Sequence, residues 1–228
     1  MSFKLRSYQP ELLDGKNIPF DDIKRNMQEL DFINTHLGGH KITLKGLSAL
    51  MNGSELRIAE IGCGGGDNLS IIKDWCIKKN ISPVLTGIDL NKECINFATE
   101  RSSNKNIHFV CSDYRLAHFD VLPDVIFSSL FCHHFTDEQL VEMIQWIYHK
   151  SKKGFFINDL HRHPLAYYSI KWLTKAFSKS YMVKNDAPLS VKRGLLRKEW
   201  ETIFYKAGIK NFQITWQWAF RWLIVCKK

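Results

Sequence analysis

The chain has few cysteines and no pair of them in a C-x-x-C spacing. Its six cysteines are scattered through 228 residues, mostly within apolar segments. They are Cys63, Cys76, Cys94, Cys111, Cys132 and Cys226. Paired spacing is typical of zinc sites and redox motifs, and dense cysteines are typical of secreted disulfide frameworks. The sequence therefore predicts reduced thiols and a reducing compartment.

Long apolar runs are also missing. No run reaches the roughly 18 residues that a bilayer-spanning helix requires, and residues 1–11 lack the apolar centre of a secretory signal. Apolar residues still make up 45% of the chain, which is enough for a buried core. We expect a cytoplasmic protein without a membrane span, folded as one domain over residues 1–228.

Acidic residues are outnumbered by basic ones, 23 to 32, which gives a formal net charge of +9. Such an excess is one signature of nucleic-acid binding. The basic clusters at 78–79, 150–153 and 192–198 are short, and none is a long run interleaved with aromatic residues. We interpret them as solvated faces, so nucleic acid is not the expected partner.

The most informative segment runs from Arg57 to Leu69, where a short apolar run enters a glycine-dense turn. Glycines tolerate positive φ and let a ligand approach the backbone. A dinucleotide fingerprint starting at Gly62 would need its third glycine at position 67, where the chain has Asp67. The pattern present is Glu60-x-Gly62-x-Gly64-x-Gly66. This register disfavours an NAD-dependent oxidoreductase.

Two further apolar runs end in polar residues. Asp89 follows the run Val84 to Ile88, where a carboxylate can bind both hydroxyls of a ribose. Dinucleotide enzymes place an acidic residue there too, so Asp89 alone does not choose between cofactors. The next run, Ile107 to Cys111, leads into Ser112, Asp113 and Tyr114.

In this order, the three features resemble the first motifs of the class I S-adenosylmethionine (SAM) dependent methyltransferases. The resemblance implies SAM as cofactor and S-adenosylhomocysteine (SAH) as product. It implies that Glu60 orients the turn or the methionine amino group, Asp89 holds the ribose, and Asp113 with Tyr114 frames the adenine. The cofactor-binding residues predicted in this way are Glu60, Gly62, Cys63, Gly64, Gly66, Asn68, Leu69, Asp89, Leu90, Ser112, Asp113, Tyr114 and Ser129.

Strands and helices alternate through the middle of the chain, which is typical of βαβ units and a parallel sheet. After the first strand we predict a helix at Asp67–Lys79, a strand at Val84–Ile88, a helix at Lys92–Ser102, strands at Ile107–Cys111 and Asp124–Ser129, a helix at Asp137–Lys150 and a strand at Gly154–Asn158. The helix caps are predicted at Asp67, at Asn91 and at Thr136 or Asp137.

The carboxyl end has a different pattern. A helix from Leu195 to Lys206 precedes β-rich runs at Ile209–Trp216 and Phe220–Cys226, which are too close for a crossover helix and must be antiparallel. The predicted fold is α/β and Rossmann-like, with a seven-stranded, mostly parallel sheet, antiparallel C-terminal strands and helical lid segments. Residues 53–160 form the predicted SAM-binding core, and 194–228 form its last helix and strands.

Two segments lie outside this core, at residues 1–52 and 161–193. The first has helical patterns at Asp21–Thr35 and His40–Met51, and the second has an aromatic helix at Leu165–Phe177 and a loop around Asp186 to Leu189. In the family, segments at these two places commonly close over the substrate. We therefore expect an N-terminal lid and a cap insertion.

Two adjacent histidines, His133 and His134, follow the fourth strand. Ligands of open α/β sheets bind at the carboxyl ends of the strands, so this segment should face the glycine turn. An imidazole, with its ordinary pKa of about 6.5, can accept a proton from a phenol or enol during methyl transfer. Adjacent side chains rarely point the same way, so we expect at most one of them to face the pocket. Alternatively, one packs against the sheet end while the other contacts the cofactor.

A second polar cluster, Asn158 to Pro164, follows the fifth strand. Asp159, His161 and His163 have ligand chemistry, but alternate positions also describe one face of a strand end, and no further Cys or His is near. We predict no metal. Substrate contact is assigned to His161, Arg162 and Tyr167, because an arginine suits an acidic or phenolate oxygen.

The expected reaction is methylation of a small molecule. Ser128 to Phe131 departs from the Asn/Asp-Pro-Pro-aromatic run of amino-methylating nucleic-acid enzymes. The segments 158–167 and 186–191 look like bacterial methyltransferases of quinone and phenolic polyketide pathways. We expect a SAM-dependent methyltransferase that methylates an oxygen of a small aromatic or polyketide-like acceptor. The alternatives are an RNA or protein methyltransferase and a noncatalytic SAM-fold binding subunit.

Overall fold

Seven strands and eight α-helices make up the computed structural model, which describes residues 3–15, 18–51 and 55–228. The strands are β1 Glu55–Ile61, β2 Ser82–Asp89, β3 His108–Cys111, β4 Val125–Ser129, β5 Gly154–Leu160, β6 Phe212–Gln217 and β7 Arg221–Lys227. The helices are α1 Phe20–His36, α2 Gly39–Leu50, α3 Asp67–Lys78, α4 Lys92–Glu100, α5 Asp137–Lys150, α6 Pro164–Phe177, α7 Tyr181–Arg193 and α8 Arg197–Lys206. The boundary predicted at residues 52 and 53 lies outside the described residues, as do the first two residues.

All seven strands form one sheet in the order β3-β2-β1-β4-β5-β7-β6. The first five run parallel, and β7 is antiparallel to both β5 and β6. This confirms the predicted fold class. The parallel strands place their carboxyl ends on one edge of the sheet, together with the turns that follow β1, β2, β3, β4 and β5.

Both faces of the sheet are buried, because alternate residues of its central strands point to opposite sides. Phe127 and Phe156 stack with ring centroids 4.8 Å apart on the face covered by α2 and α3. Phe155 lies on the other face, 6.0 Å from Phe204 of α8, with α5 beside it. The two layers hold the strand ends in a fixed relation to one another.

Two of the three predicted helix caps are confirmed. The Asn91 side chain accepts hydrogen bonds from two backbone N–H groups at the start of α4, and Thr136 begins α5 with a capping box. The prediction for α3 is wrong, because Gly66 occupies the cap with φ +73°. Asp67 is the first helical residue, and its carboxylate bonds to side chains across the turn.

The loop predicted around Asp186 to Leu189 is also wrong, since these residues lie within α7. Pro188 removes one helical hydrogen bond, which costs about 3 kcal/mol in an exposed helix. The helix is nevertheless kept in place by its buried face, which includes Met182, Val183 and Leu189. The Asp186 carboxylate also accepts the backbone N–H groups of Leu12 and Leu13, at 2.8 and 3.0 Å.

The remaining strand and helix boundaries differ from the predicted ones by only a few residues. The last helix starts at Arg197 because Leu195 forms a bridge to His161 and accepts a hydrogen bond from the Trp222 indole at 2.9 Å. Among residues 3–15, 18–51 and 55–228, no helix combines the length and apolarity that crossing a bilayer needs.

Candidate active site

The turn after β1 exposes backbone to a cavity. Gly62 and Gly64 have φ of +69° and +49°, a region that L side chains rarely adopt. A Cβ at Gly62 would lie 2.2 Å from the Phe131 ring, so the turn after β1 packs directly on the turn after β4. The Gly62 N–H donates to the Ile88 carbonyl at 2.8 Å, which ties the turn to β2.

The first cavity, of about 710 Å³, lies over this turn. Of the predicted cofactor residues, those that line it are Glu60, Gly62, Cys63, Gly64, Asn68, Asp89, Leu90, Ser112, Asp113, Tyr114 and Ser129. Two predicted residues do not. Leu69 is fully buried in the core, and Gly66 is covered, since a Cβ there would meet Phe109 and Asn104. Leu69 and Gly66 support the shape of the turn on the side that faces away from the cavity.

Glu60 is buried at the end of β1 with one carboxyl oxygen left over. Its Oε1 accepts a hydrogen bond from Asn68 Nδ2 at 2.9 Å, and its Oε2 has no hydrogen-bond partner within the described part of the chain. Burial, with the nearby charges of Asp67 and Asp89, raises the pKa of Glu60 well above its usual range. A cationic or N–H group bound in the first cavity would satisfy this oxygen.

Asp89 is fixed by backbone donors at the end of β2. Its two oxygens accept the N–H groups of Gly64 and Asn91, each at 2.9 Å. Each carboxylate oxygen has a second acceptor site, so the group can still bind hydroxyls from the cavity. Burial raises the pKa of Asp89, against the lowering effect of these hydrogen bonds.

The residues after β3 form the far end of the first cavity. Asp113 forms an ion pair with Arg115 at 2.5 Å, which lowers the pKa of its carboxyl. The Tyr114 ring packs edge-on against Trp146, with centroids 5.2 Å apart, and burial raises its pKa to about 12. The Ser112 N–H donates to the Asp89 carbonyl at 2.9 Å, which joins this end to β2.

A polar cluster at the near end was missed from the sequence. Asp67 accepts hydrogen bonds from His40 Nε2 at 2.8 Å and from Asn34 Nδ2 at 3.3 Å. Burial raises the pKa of Asp67, but the bonds from His40 and Asn34 lower it below its usual value. The cluster joins α1, α2 and α3, and no spacing in the sequence indicates that His40 meets the glycine turn.

A second cavity, of about 380 Å³, adjoins the first and shares Leu13, Leu30, Leu130 and His134 with it. Its apolar walls come mostly from α1, α6 and α7 and from the end of β5. They include Ile33, Leu37, Leu160, Ala166, Ile170, Leu173, Val183 and Val191. Leu130, at the junction, has φ +53°. The two predicted lid segments thus supply most of the walls of this cavity.

His133 borders the second cavity and is held between two carboxylates. Its Nδ1 lies 2.7 Å from Asp159 Oδ1, and its Nε2 lies 3.5 Å from Glu11 Oε1. Burial lowers the pKa of His133, but the charge and hydrogen bond of Asp159, together with Glu11, raise it to about 9. At neutral pH this imidazole is therefore a cation in a carboxylate clamp.

His134 borders both cavities. Its Nδ1 lies 3.1 Å from Asp14 Oδ1, and its backbone carbonyl accepts a hydrogen bond from Arg193 at 2.9 Å. The centroids of the two histidine rings are 4.4 Å apart, and both residues line the second cavity. The expectation that at most one histidine faces the pocket does not hold for the second cavity, which both line, whereas only His134 of the pair lines the first.

Asp159 organises the turn that carries these histidines. Its Oδ2 accepts the N–H groups of Phe131, Cys132 and His133, at 3.1, 2.7 and 3.3 Å, and its Oδ1 bonds to the His133 ring. From the sequence, Asp159 is considered only as a possible metal ligand, and no metal is predicted. Its place at the end of β5, beside β4, could have indicated this contact.

Three residues predicted to contact the substrate line neither cavity. Arg162 is buried against Glu199, with bonds of 2.5 and 3.1 Å, so its guanidinium is already paired. His161 packs on Trp222, and burial lowers its pKa to about 4. Tyr167 packs on Phe3. Other residues of α6 line the second cavity instead.

The clamp around His133 predicts a loss of stability at alkaline pH. The folded pKa of about 9 lies above the unfolded value of about 6.5, so the stabilisation is complete below pH 6.5 and is lost as pH rises through 9. We expect the free energy of unfolding, measured by urea titration, to fall by on the order of 3 kcal/mol over this window. His133→Asn should flatten the slope, and an equal slope in that variant would contradict the assignment.

Residues 58–154 match a family described as a methyltransferase domain. This segment is a methyltransferase domain. No curated protein matches the sequence. The match covers the glycine turn, the ends of β2, β3 and β4, and both histidines, so the predicted family is confirmed on the segment that carries the site.

Several solved structures are similar to most of the chain. The plantazolicin methyltransferase BpumL, in complex with a monoazolic desmethylPZN analog and SAH, has a TM-score of 0.61 at 21% identity, over 86% of this chain and 72% of that one. Human N-acetylserotonin methyltransferase, in complex with SAM, has a TM-score of 0.65 at 19% identity. That match covers 92% of this chain, which spans 56% of the human protein. A SAM-dependent methyltransferase from Aquifex aeolicus has a TM-score of 0.56 at 15% identity, over 81% and 88%. At these low sequence identities, the structural similarity shows a shared fold.

Proposed function

We propose that this methyltransferase transfers a methyl group from SAM to a hydroxyl of a small, largely apolar acceptor, with His134 as the proton acceptor. The proposal depends chiefly on one observation: His134 and Leu130 border both cavities, so methyl donor and acceptor would meet beside them. SAM, predicted from the motifs, is confirmed as the cofactor of this family, and neighbours of this fold carry SAM or SAH.

The residues of the first cavity fit SAM. The free Oε2 of Glu60 suits the methionine amino group, Asp89 suits the ribose hydroxyls, and the wall near Asp113 and Tyr114 suits the adenine. Bound SAM supplies an electrophilic methyl group on a sulfonium. The chain then has to exclude water, align the two reactants and take up the proton of the acceptor hydroxyl.

His134 suits the role of proton acceptor better than His133. His133 is held as a cation by Asp159 and Glu11, so it has no free lone pair at neutral pH. His134 has Nδ1 directed at Asp14, which leaves Nε2 for the acceptor. Glu11 Oε2 lies 3.9 Å from this Nε2. His133 and Asp159 then act as positioning residues for the turn. We further propose that α1, α6 and α7 cover the acceptor as a lid.

The test begins with calorimetric titration of the protein with SAH, using NADH as the parallel control. We expect micromolar binding of SAH and none of NADH. The SAH-binding protein is then incubated with SAM and 2-naphthol, and the methyl ether is measured by mass spectrometry. Failure to methylate any of a panel of phenols would contradict the proposal and favour a noncatalytic subunit. Salt-sensitive RNA binding would favour the RNA alternative.

Replacing Asp89 by alanine should weaken SAH binding by about 1 to 3 kcal/mol, because two ribose hydrogen bonds to a carboxylate are lost. Calorimetry measures the change, and circular dichroism checks that the variant folds. Asp124→Ala is a matched control, since Asp124 also accepts a backbone N–H, from Arg57 at 2.8 Å, but lines neither cavity. An unchanged SAH affinity in folded Asp89→Ala would remove the ribose assignment.

A further inference from the structure

Arg221 is a buried arginine that lines the second cavity. It opens β7, where its backbone pairs with Leu160 and Gln217, and the residue is 3% exposed. Its Nη1 finds no hydrogen-bond partner anywhere in residues 3–15, 18–51 or 55–228. A Cβ at Gly39 would lie 2.7 Å from this atom, so the guanidinium rests against the first residue of α2.

The other buried arginines show how unusual this is. Arg162 binds both oxygens of Glu199 and the Gly194 carbonyl, and Arg193 binds Asp14 at 3.2 Å and two histidine carbonyls. A buried charge without a partner costs several kcal/mol. Burial lowers the pKa of Arg221 to about 10, although the charges of Asp159 and Asp67 act to raise it. The group is still protonated at neutral pH.

The remaining surroundings of Arg221 indicate what would satisfy it. The second cavity has mainly apolar walls, so an ionic contact inside it is poorly screened. Asn26 lines the same cavity with its Oδ1 buried and unpartnered in the described residues. The carboxylates of that cavity, Glu11 and Asp186, are already engaged, by His133 and Ser190 and by the backbone of Leu12 and Leu13.

We propose that Arg221 binds an acidic group of the methyl acceptor, so that the acceptor is an apolar hydroxy acid rather than a neutral phenol. This rests on the proposed function, since it names the substrate class of the same site. The carboxylate would bond to the Arg221 guanidinium in a charge-assisted contact. The hydroxyl to be methylated lies at the junction beside His134. The sequence placed this role on Arg162, which is already paired.

The test uses 6-hydroxy-2-naphthoic acid and its neutral carboxamide as probes of one shape. Each is titrated calorimetrically into protein saturated with SAH. We expect the wild type to bind the acid about 10- to 100-fold more tightly than the amide. Arg221→Met should lose this preference and Arg221→Lys should keep part of it, because the lysine retains the charge. Arg197→Met, at an exposed arginine paired with Glu201, is the matched control and should behave as wild type.

Equal binding of acid and amide by the wild type, no binding of the acid, or an unchanged preference in Arg221→Met would overturn the proposal. A loss of SAH affinity in Arg221→Met as large as the loss for the acid would place the guanidinium on the cofactor and also overturn it. Methylation of the amide without preference for the acid would leave the proposed function standing. Binding of the acid through Arg221 without methylation of either probe would overturn the proposed function alone.

Discussion

Replacing Asp159 by asparagine is expected to lower the free energy of unfolding by about 3 to 5 kcal/mol, because it breaks a buried ion pair. Asp159 is fully buried, and its oxygens accept three backbone N–H groups of the turn after β4 as well as the His133 ring at 2.7 Å. In asparagine one of these oxygens becomes an NH₂ donor facing other donors. Urea unfolding measures the change.

The same substitution should reduce methyl transfer on the order of 100-fold in the protein that remains folded, because the turn that positions His134 is released. Asp124→Asn is the matched control at the opposite end of β4, where the carboxylate pairs with Lys153 at 3.5 Å. We expect it to cost less than about 1 kcal/mol. Equal stability of the two variants, or full activity of Asp159→Asn, would show that the clamp does not organise the site.

The features predictable from the sequence are those that depend on neighbouring residues. The apolar strand runs, the Glu60 to Gly66 register and the carboxylate after β2 are local patterns, and they predicted the sheet and most of the first cavity. The antiparallel end followed from the short connection between β6 and β7, which has no room for a crossover helix. Helix α7 was not predicted, because Pro188 is a strong local signal against a helix and the buried packing that offsets it is tertiary.

The acid–base part of the site depends on contacts between residues far apart in the chain. Glu11 and Asp14 lie more than a hundred residues before the histidines they bind, and nothing in their local sequence indicates it. The arginines show the same limit. From the sequence, anion binding was assigned to Arg162 and Arg221 was not singled out, and only the structure shows that Glu199 already neutralises Arg162.

Replacing His134 by asparagine should lower the rate of methyl transfer to un-ionised phenols by about 10²- to 10⁴-fold, the usual contribution of a positioned base. Asparagine keeps a polar group of similar reach but accepts no proton. The measurement compares 2-naphthol, which is protonated at neutral pH, with a nitrophenol that is already ionised and needs no base. We expect a large loss for the first acceptor and a small one for the second, with SAH affinity unchanged.

The pattern of losses separates a base from a positioning residue. If His134 only shaped the junction of the two cavities, both phenols would lose rate by the same factor. In the variant, the rate on 2-naphthol should also rise about tenfold per pH unit, because the phenolate must form in solution before it binds. His36→Asn is the control, since that histidine is exposed on α1 and bonds only to the Phe32 carbonyl, at 2.8 Å, among the described hydrogen bonds. Equal losses for the two phenols would show that His134 positions the acceptor and does not take up its proton.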